Sequence, residues 1–283
     1  MTGYTSYLDA ARDAAREAGD ILRRDYRRAG PVSFKGEIDL VTETDTASQA
    51  LIHERLAARF PGHDFLGEEG LRKITGAGFR WIIDPLDGTT NFAHRFPWFC
   101  VSIALEHDGA LVAGIVFNPI MGEMFTAEAG GGAFLNGEPI RVSATGELGR
   151  SLVATGFPYD VRESRTNMAA HNRFLLAAQA VRRCGSAALD LCYVACGRFE
   201  GFWELKLNPW DTAAGAVILA EAGGRLTDLR GRPADIYIPS SAPATGSSIK
   251  RCSTFSGKHD ARLGPRLRPD PPGRRVSRGI DGG

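Results

Sequence analysis

The sequence predicts a layered α/β protein, and three observations carry that expectation. Helix-period and strand-like segments are mixed along the chain without a regular βαβ rhythm. Three strand-like runs follow one another between residues 101 and 127, joined by turn residues, as antiparallel neighbours would be. Beyond residue 152, short apolar runs alternate with helical ones, so sheets should pack between pairs of helices. With 283 residues, 43% hydrophobic and 24% charged, the chain can bury a sizeable core in one large domain or two closely packed ones.

The first element is an amphipathic helix with Leu8, Ala11, Ala15, Ala18 and Leu22 on one face. Arg12, Arg16, Arg23 and Arg24 fall largely outside that face. Gly30-Pro31 ends the helix, and alternating apolar positions over 32–41 suit a hairpin. Asp45 then precedes a second helix whose core side carries Leu51, Ile52, Leu56 and Phe60, stopped by Pro61-Gly62. A short apolar stretch leads to Gly67-Glu68-Glu69, and a Gly-containing loop leads to a strand ending at Asp84. Strands over 101–105, 111–117 and 123–127 turn at Asp108-Gly109 and across residues 119–122. Residues 130–137 read as a turn-rich connection, with Asn136-Gly137 a tight-turn signal. The second half should run strand 152–155, helix 166–178, strand near Val181, helix 187–195, strand 201–204 and helix 212–222. Gly223-Gly224 sits where that last helix needs its C-cap.

No apolar run approaches the roughly 20 residues of a membrane span, and the N-terminus lacks a signal-peptide h-region. The expected location is cytoplasmic, with no membrane partner. Cys100, Cys184, Cys192, Cys196 and Cys252 are unevenly spaced in mostly apolar sequence. Cys192 and Cys196 could share a helical face, but no Cys or His cluster completes a tetrahedral set, so they read as reduced structural thiols. The net charge of +1 is split: nine Lys or Arg and three Asp give residues 240–283 a charge of +6, leaving −5 on 1–239. The mildly acidic body suits a carboxylate-lined cation site. The Ser-, Pro-, Gly- and Arg-rich stretch 240–283 reads as a basic, disordered tail that could bind nucleic acid weakly, though no motif supports such a partner.

Residues 81–92 read WIIDPLDGTTNF. Three β-formers end in Asp84, a Pro-containing turn follows, then comes Asp87, and Gly88, Thr89 and Thr90 suit the opening of a helix. Two carboxylates three residues apart at a strand's end can converge on hard cations, and free amides beyond them can hold an anion. Five acids stand at element ends: Asp45, Glu68, Asp84, Asp87 and Asp211, the last within Asn208-Pro209-Trp210-Asp211. Any one of them has a plain alternative as a cap or solvated turn, and Asp211 would cap a helix beginning at Thr212. Together, beside Gly and Thr, they describe a metal-dependent phosphate site.

GEE at 67–69, WIIDPLDGTTNF at 81–92 and PWDTAAG at 209–215, in this order, resemble the inositol monophosphatase family of magnesium-dependent, lithium-sensitive phosphatases. The resemblance covers about residues 5–238 and implies an α+β fold layered αβαβα, the sugar-phosphatase sandwich, in a catalytic domain over 1–239 with halves of about 1–145 and 146–239. It implies a first Mg²⁺ on Glu68, Asp84 and the Leu86 carbonyl, and a second on Asp84, Asp87 and Asp211. A third, weaker Mg²⁺ would be shared by Glu68 and water. By the same implication Glu68 and Thr89 activate the attacking water, while Asp45 accepts a hydrogen bond from the Thr89 hydroxyl. Amides of Gly88 and Thr89 would hold the phosphoryl oxygens.

Further out, Glu69 matches an orienting acid beside Glu68, and Lys35 a lysine near the metals, with a solvated strand charge as its equal alternative. Gly185, Ser186 and Ala187 match the loop over the substrate ring, and Glu204 an acid that hydrogen-bonds a ring hydroxyl. His94 and Arg95, just past the motif, could approach phosphate but are more often structural in this family. No Cys or His nucleophile sits in a phosphate loop, which agrees with direct attack by water.

The expected function is a Mg²⁺-dependent phosphomonoesterase acting on a small phosphorylated polyol, inositol 1-phosphate first. GFPYD at 156–160 and the stretch 204–211 resemble the bacterial branch of the family. Histidinol phosphate, fructose 1,6-bisphosphate and 3′-phosphoadenosine 5′-phosphate are alternatives within the same chemistry. A regulatory partner of the bacterial transcription machinery is an alternative of another class, and a homodimer is the family's common assembly.

The chain departs from the family at its end, where a strand and an amphipathic helix are replaced by the basic stretch. Read one base out of frame, codons for residues 240–256 can spell VLGTSNGLIHKEMLNVL, similar to the family's usual ending. A frame slip near Pro239 is one reading of this ending, and a natural linker or tail is the other. Resequencing the gene tests the slip: codons that cannot spell that pattern would end the idea.

Overall fold

Small residues set the first contact. Helix α1 (Thr5–Tyr26) buries Ala10, Ala11, Ala14, Ala15, Ala18 and Leu22 along one face, as the periodicity predicts, and α2 (Glu43–Arg59) lies against it with Ile52 and Leu56 inward. Between them β1 (Val32–Phe34) and β2 (Leu40–Thr42) form the expected antiparallel pair. This computed structural model describes residues 3–27, 32–34 and 40–238, with backbone alone at 32–34 and 40–42. Lys35, Cys252 and the stretch 240–283 lie outside the described residues, so expectations placed on them stay as stated.

The α1–α2 pair covers one face of an eight-stranded sheet. Its strands are β3 (Asp64–Gly67), β4 (Arg72–Lys73), β5 (Phe79–Asp87), β6 (Cys100–His107), β7 (Ala110–Asn118), β8 (Glu123–Glu128), β9 (Gly132–Leu135) and β10 (Glu138–Pro139). They run in the order β10-β9-β8-β7-β6-β5-β3-β4, with β3 and β5 parallel and the other pairs antiparallel. The turn-rich stretch 130–137 thus contains a strand, β9. Its alternation was masked by flanking glycines, while Asn136-Gly137, both at positive φ (52° and 88°), makes the tight turn to β10. A five-residue helix, α3 (Thr89–Ala93), follows β5 directly.

Alternation along the strands sorts the core into two. Trp81, Ile83, Ile103, Leu105 and Ile115 face α1 and α2, whereas Ile82, Ala104, Val116 and Phe125 face the other way. On that second side lie α6 (Ala187–Ala195) and α7 (Pro209–Glu221), introduced after β11 (Leu152–Thr155), α4 (Val161–Ser164), α5 (Met168–Ala177) and β12 (Ala180–Arg182). With β13 (Gly201–Trp203), β12 and β11 form a parallel three-stranded sheet in the order β12-β11-β13. Ala154 and Phe202 pack it onto α6 and α7, while Val153 and Trp203 meet Phe174 of α5 on its far side. The layers are therefore α, β, α, β, α, a mixed α/β sandwich as predicted.

Three of the boundaries that differ from the sequence reading each move an acid. Helix α2 begins at Glu43, so Asp45 lies inside its first turn rather than before it. Strand β5 runs on to Asp87. Helix α7 starts at Pro209, because Pro is pre-organised for the first helical position, so Asn208 is the N-cap and Asp211 the third helical residue. Asp211 instead closes the turn from within, its Oδ2 accepting from the Asn208 N–H at 2.6 Å.

Close approach of α7 to the sheet depends on Gly114. A Cβ there would stand 2.6 Å from the Ala214 carbonyl oxygen, a backbone atom that cannot swing aside. Gly114→Ala should therefore destabilise the chain by about 1–3 kcal/mol, read as a lowered urea midpoint at unchanged m-value; an unshifted midpoint would show the layer is looser than this.

Candidate active site

In a regular strand Asp84 and Asp87, three residues apart, would point to opposite faces. They do not, because β5 is bulged between them: Asp84 sits opposite Ser102 and Asp87 opposite Cys100, so three steps on β5 match two on β6. Pro85 lies in the bulge, where its missing N–H costs no ladder bond. Both carboxylates thus share the face of Ser102 and Cys100, which is the face covered by α6 and α7. The Leu86 N–H donates to Asp84 Oδ1 at 3.0 Å and fixes that side chain, which is 1% exposed.

Gly88 then turns the chain into α3 with φ of 96°, and a Cβ on it would meet the Trp98 carbonyl at 2.8 Å. Phe92 N donates to the Gly88 oxygen at 3.0 Å, so the N–H groups of Gly88 and Thr89 precede the helix's own ladder. The Thr89 hydroxyl donates to the Leu86 carbonyl at 3.1 Å. One hydroxyl carries one proton, and here the acceptor three residues back takes it.

Asp87 is held from the other side. Its Oδ2 accepts from Ser186 Oγ at 2.6 Å and from the Ala188 N–H at 2.8 Å, so it anchors the first turn of α6. This brings residues 185–187, read from sequence as a substrate loop, beside the acid pair. Asn91 of α3 secures the same loop, donating from Nδ2 to the carbonyls of Cys184 and Gly185 at 2.8 and 3.2 Å. Opposite, the Ser102 hydroxyl donates to the Trp210 carbonyl at 3.4 Å and ties β6 to the first turn of α7, where Asp211 stands.

Glu68 follows β3, the parallel neighbour of β5, and its N–H bonds the Ile83 carbonyl at 3.2 Å, one residue before Asp84. The Glu68 carboxyl lies within electrostatic reach of Asp84 and helps to raise it. Gln49 pins the adjoining Glu69 backbone twice: its Oε1 accepts from the Glu69 N–H and its Nε2 donates to the Glu69 carbonyl, each at 3.0 Å. Ser48 Oγ donates to the Pro85 carbonyl at 3.0 Å. Sequence reasoning missed both. Asp45, Ser48 and Gln49 are all buried and stand three and four residues apart, a polar stripe on the inward face of α2, and that stripe was the available signal.

Glu204, just after β13, lies against Gly156, where a Cβ would stand 2.0 Å from its Oε1. A buried network places these two: Asn167 Nδ2 donates to the Thr155 hydroxyl at 2.8 Å and to the Gly156 carbonyl at 2.6 Å, and Trp203 Nε1 donates to Asn167 Oδ1 at 2.6 Å.

These acids perturb one another. Burial first, then Glu68, Asp87, Asp211 and Asp45, push Asp84 well above the carboxylate range. Crowding by protein atoms, then Asp45, push Glu68 up to about 8, an effect moderated because the residue keeps exposed surface. Burial, with Asp87 and Glu68, raises Asp211 to about 8 despite the Asn208 N–H. Burial raises Glu204 to about 8, with Asp211 and Asp87 adding to it. Asp87 reaches only about 6, because Ser186 and the amides of α6 oppose its burial. Among the described residues no three His, Cys, Asp or Glu side chains are drawn together as a finished cage; the acids meet through pairs and shared neighbours. An all-oxygen set in which acidic neighbours help to raise Asp84, Glu68 and Asp211 is nevertheless one that a hard dication would relieve. The donor chemistry therefore fits Mg²⁺. Cys100, Cys184, Cys192 and Cys196 are free thiols.

A family model described as "Inositol monophosphatase family" matches residues 4–256. The chain belongs to the inositol monophosphatase family. It is 46% identical over 238 residues to Inositol monophosphatase 3 of Solanum lycopersicum, covering 81% of this chain and 88% of that one. It is 43% identical to the Nus factor SuhB of Pseudomonas aeruginosa, with 79% and 86% covered. In structure it resembles inositol monophosphatase from Anabaena (Nostoc) sp. PCC 7120, with a TM-score of 0.77, 40% identity, and 89% and 91% of the two chains covered. The inositol monophosphatase fold is thus shared across the sandwich.

The raised carboxyls have a consequence above pH 7, where His63, held below its usual value chiefly by burial, has finished titrating. The folded metal-free protein then holds more protons than the unfolded chain, so stability falls as pH rises through about 8, the value for Glu68, Glu204 and Asp211. A divalent cation needs those carboxylates ionised. In EDTA the melting temperature should be lower at pH 8.5 than at pH 7, while the increment given by millimolar Mg²⁺ should be larger at the higher pH. An increment that shrinks with pH would remove these acids from the cation site.

Proposed function

We propose that this protein is a Mg²⁺-dependent phosphatase that hydrolyses a small polyol phosphate, inositol 1-phosphate foremost. The observation that supports it most is the bulge that turns Asp84 and Asp87 to one face, toward Asp211 and beside Glu68. The residues that would hold the cations are Glu68, Asp84 and the Leu86 carbonyl for one, and Asp84, Asp87 and Asp211 for another, with a third weaker ion at Glu68. When bound, Mg²⁺ neutralises the nearly two negative charges of the phosphate monoester, the chief obstacle to attack by water.

The chain's own residues then position and exchange protons. N–H groups of Gly88 and Thr89 hold phosphoryl oxygens at the start of α3. Glu68, at the open edge of the cluster, receives the proton of the attacking water, with Thr89 and Asp45 aligning that water and Glu69 backing Glu68. As the new P–O bond forms, the bond to the polyol oxygen breaks, and that oxygen takes a proton from solvent. Residues Gly185, Ser186 and Ala187 flank the ring, while Glu204 accepts from a ring hydroxyl. Lithium sensitivity, a homodimer and a cytoplasmic location are part of this reading. A second reading, a regulatory partner of the transcription machinery, rests on the relative named Nus factor SuhB.

Release of phosphate from inositol 1-phosphate, with and without Mg²⁺, separates the two. Turnover that requires Mg²⁺ is expected; none on any sugar, inositol or nucleotide phosphate would leave only the regulatory reading. Asp87→Asn should lower kcat/KM on the order of 100-fold, and full activity in that variant would refute the second cation's assignment.

A further inference from the structure

One acid near this site has no role in the scheme above. Asp190, in the first turn of α6, is 1% exposed, and its Oδ1 meets no hydrogen-bond partner. It follows Ser186 by four residues and Ala187 by three, so it shares their helical face. Side chains on a helix lean toward its N-terminus, which carries the Asp190 carboxyl back over the turn that Asp87 anchors. The ionisable groups whose charge reaches it are Glu204, Asp87 and Arg183. The first two are the ring acid and a metal ligand of the proposed reaction; Arg183 is exposed, with Nη1 beside Gly185.

A buried carboxyl oxygen with no donor costs about 1–3 kcal/mol, and here the neighbouring acids add repulsion. Packing alone does not account for a charged residue at this place, since an apolar side chain of similar volume would avoid the cost. The missing partner must be a donor, and a polyol ring presents donors wherever it carries a hydroxyl.

We propose that Asp190 and Glu204 together form a two-carboxyl cradle for hydroxyls of the substrate's polyol ring, with Asp190 a specificity-determining residue. The inference rests on the polyol-phosphatase reading and deepens it. The two acceptors come from different layers, α6 and the end of β13, so a ring held by both would have to lie where helix and small sheet meet. An aryl phosphate offers the same phosphoryl group without ring hydroxyls and makes no such demand on Asp190. A trapped water is the competing occupant.

The test compares inositol 1-phosphate with p-nitrophenyl phosphate in the Mg²⁺-loaded full chain and in Asp190→Asn. The specificity ratio, kcat/KM for the first over the second, should fall about tenfold, the worth of one good hydrogen bond, and the fall should lie in KM. Equal losses on both substrates, or none on either, would overturn the cradle. Asp190→Leu supplies a second measurement: its melting temperature should hold or rise, because no partnered group is lost. A large drop would show that a water or protein donor already satisfies Oδ1, which refutes the proposal. Wild type that hydrolyses the aryl phosphate but no polyol phosphate removes the polyol reading and the cradle with it. Wild type active on inositol 1-phosphate with an indifferent Asp190→Asn removes the cradle alone.

Discussion

A period-two strand cannot aim two carboxylates three residues apart at one place, and the bulge in β5 is the constraint on which the site depends. Were these same residues a regular, unbulged strand, Asp87 would project toward the α1 side of the sheet, where Phe92 and Phe99 are buried. With it, both acids open toward α6 and α7. The elements around β5 serve that one adjustment. Ser48 takes hold of the Pro85 carbonyl, Leu86 N–H restrains Asp84, and Ser186 with Ala188 restrains Asp87. Each uses a backbone group that the bulge has released from the ladder or a carboxylate that it has turned.

The same arrangement stores repulsion. Glu68, Asp84 and Asp211 are raised by burial and by acids around them, Asp45 and Asp87 included, and these five acids come from four elements: α2, the β3 loop, β5 and α7. Nothing in the acids themselves favours that convergence. The sandwich imposes it, through Gly114 letting α7 touch β7 and through the parallel β3–β5 pair setting Glu68 next to Asp84. Apolar burial on both faces of the large sheet offsets the electrostatic cost. Asp87 is the least raised because α6 amides face it, so the helix that presents the substrate loop also eases one of the acids.

Much of this was legible in the residues. The layered architecture followed from segment order, and the acids of the site were read as a group because a short motif joined carboxylates to a Gly-Thr turn. Legibility failed where structure departs from simple periods. Strand β9 was hidden by Gly130, Gly131, Gly132 and Gly137, whose turn chemistry outweighed four strand residues. The start of α7 was placed late because Asn208-Pro209 was read as the loop before the helix when it is the N-cap and first residue. Gln49 and Ser48 were overlooked because helical polar residues are usually solvated, and their burial appears only once the bulge and the Glu69 loop fold over them. Asp190 shows the same blindness: a single acid in an apolar run, Ala187-Ala188-Leu189-Asp190-Leu191, has no spacing to announce it.

Glu204 and Asp190 differ from the metal-facing acids in what could satisfy them. In the proposed reaction Glu68, Asp84, Asp87 and Asp211 would be relieved by the charge of a dication. Glu204 is set apart by the Thr155–Asn167–Trp203 network, which fixes it against Gly156 on the small-sheet side, and Asp190 by its place on α6. A neutral ligand rich in hydroxyls stabilises such carboxyls by donating hydrogen bonds, whereas a cation there would compete with the reacting centre. On the proposed reading the division of acids between the two layers divides the chemistry: the large sheet and α7 would gather charge for the phosphoryl group, and α6 with the small sheet would present acceptors for what the phosphate is attached to. That separation lets the part that recognises the alcohol vary while the bulged strand stays as it is.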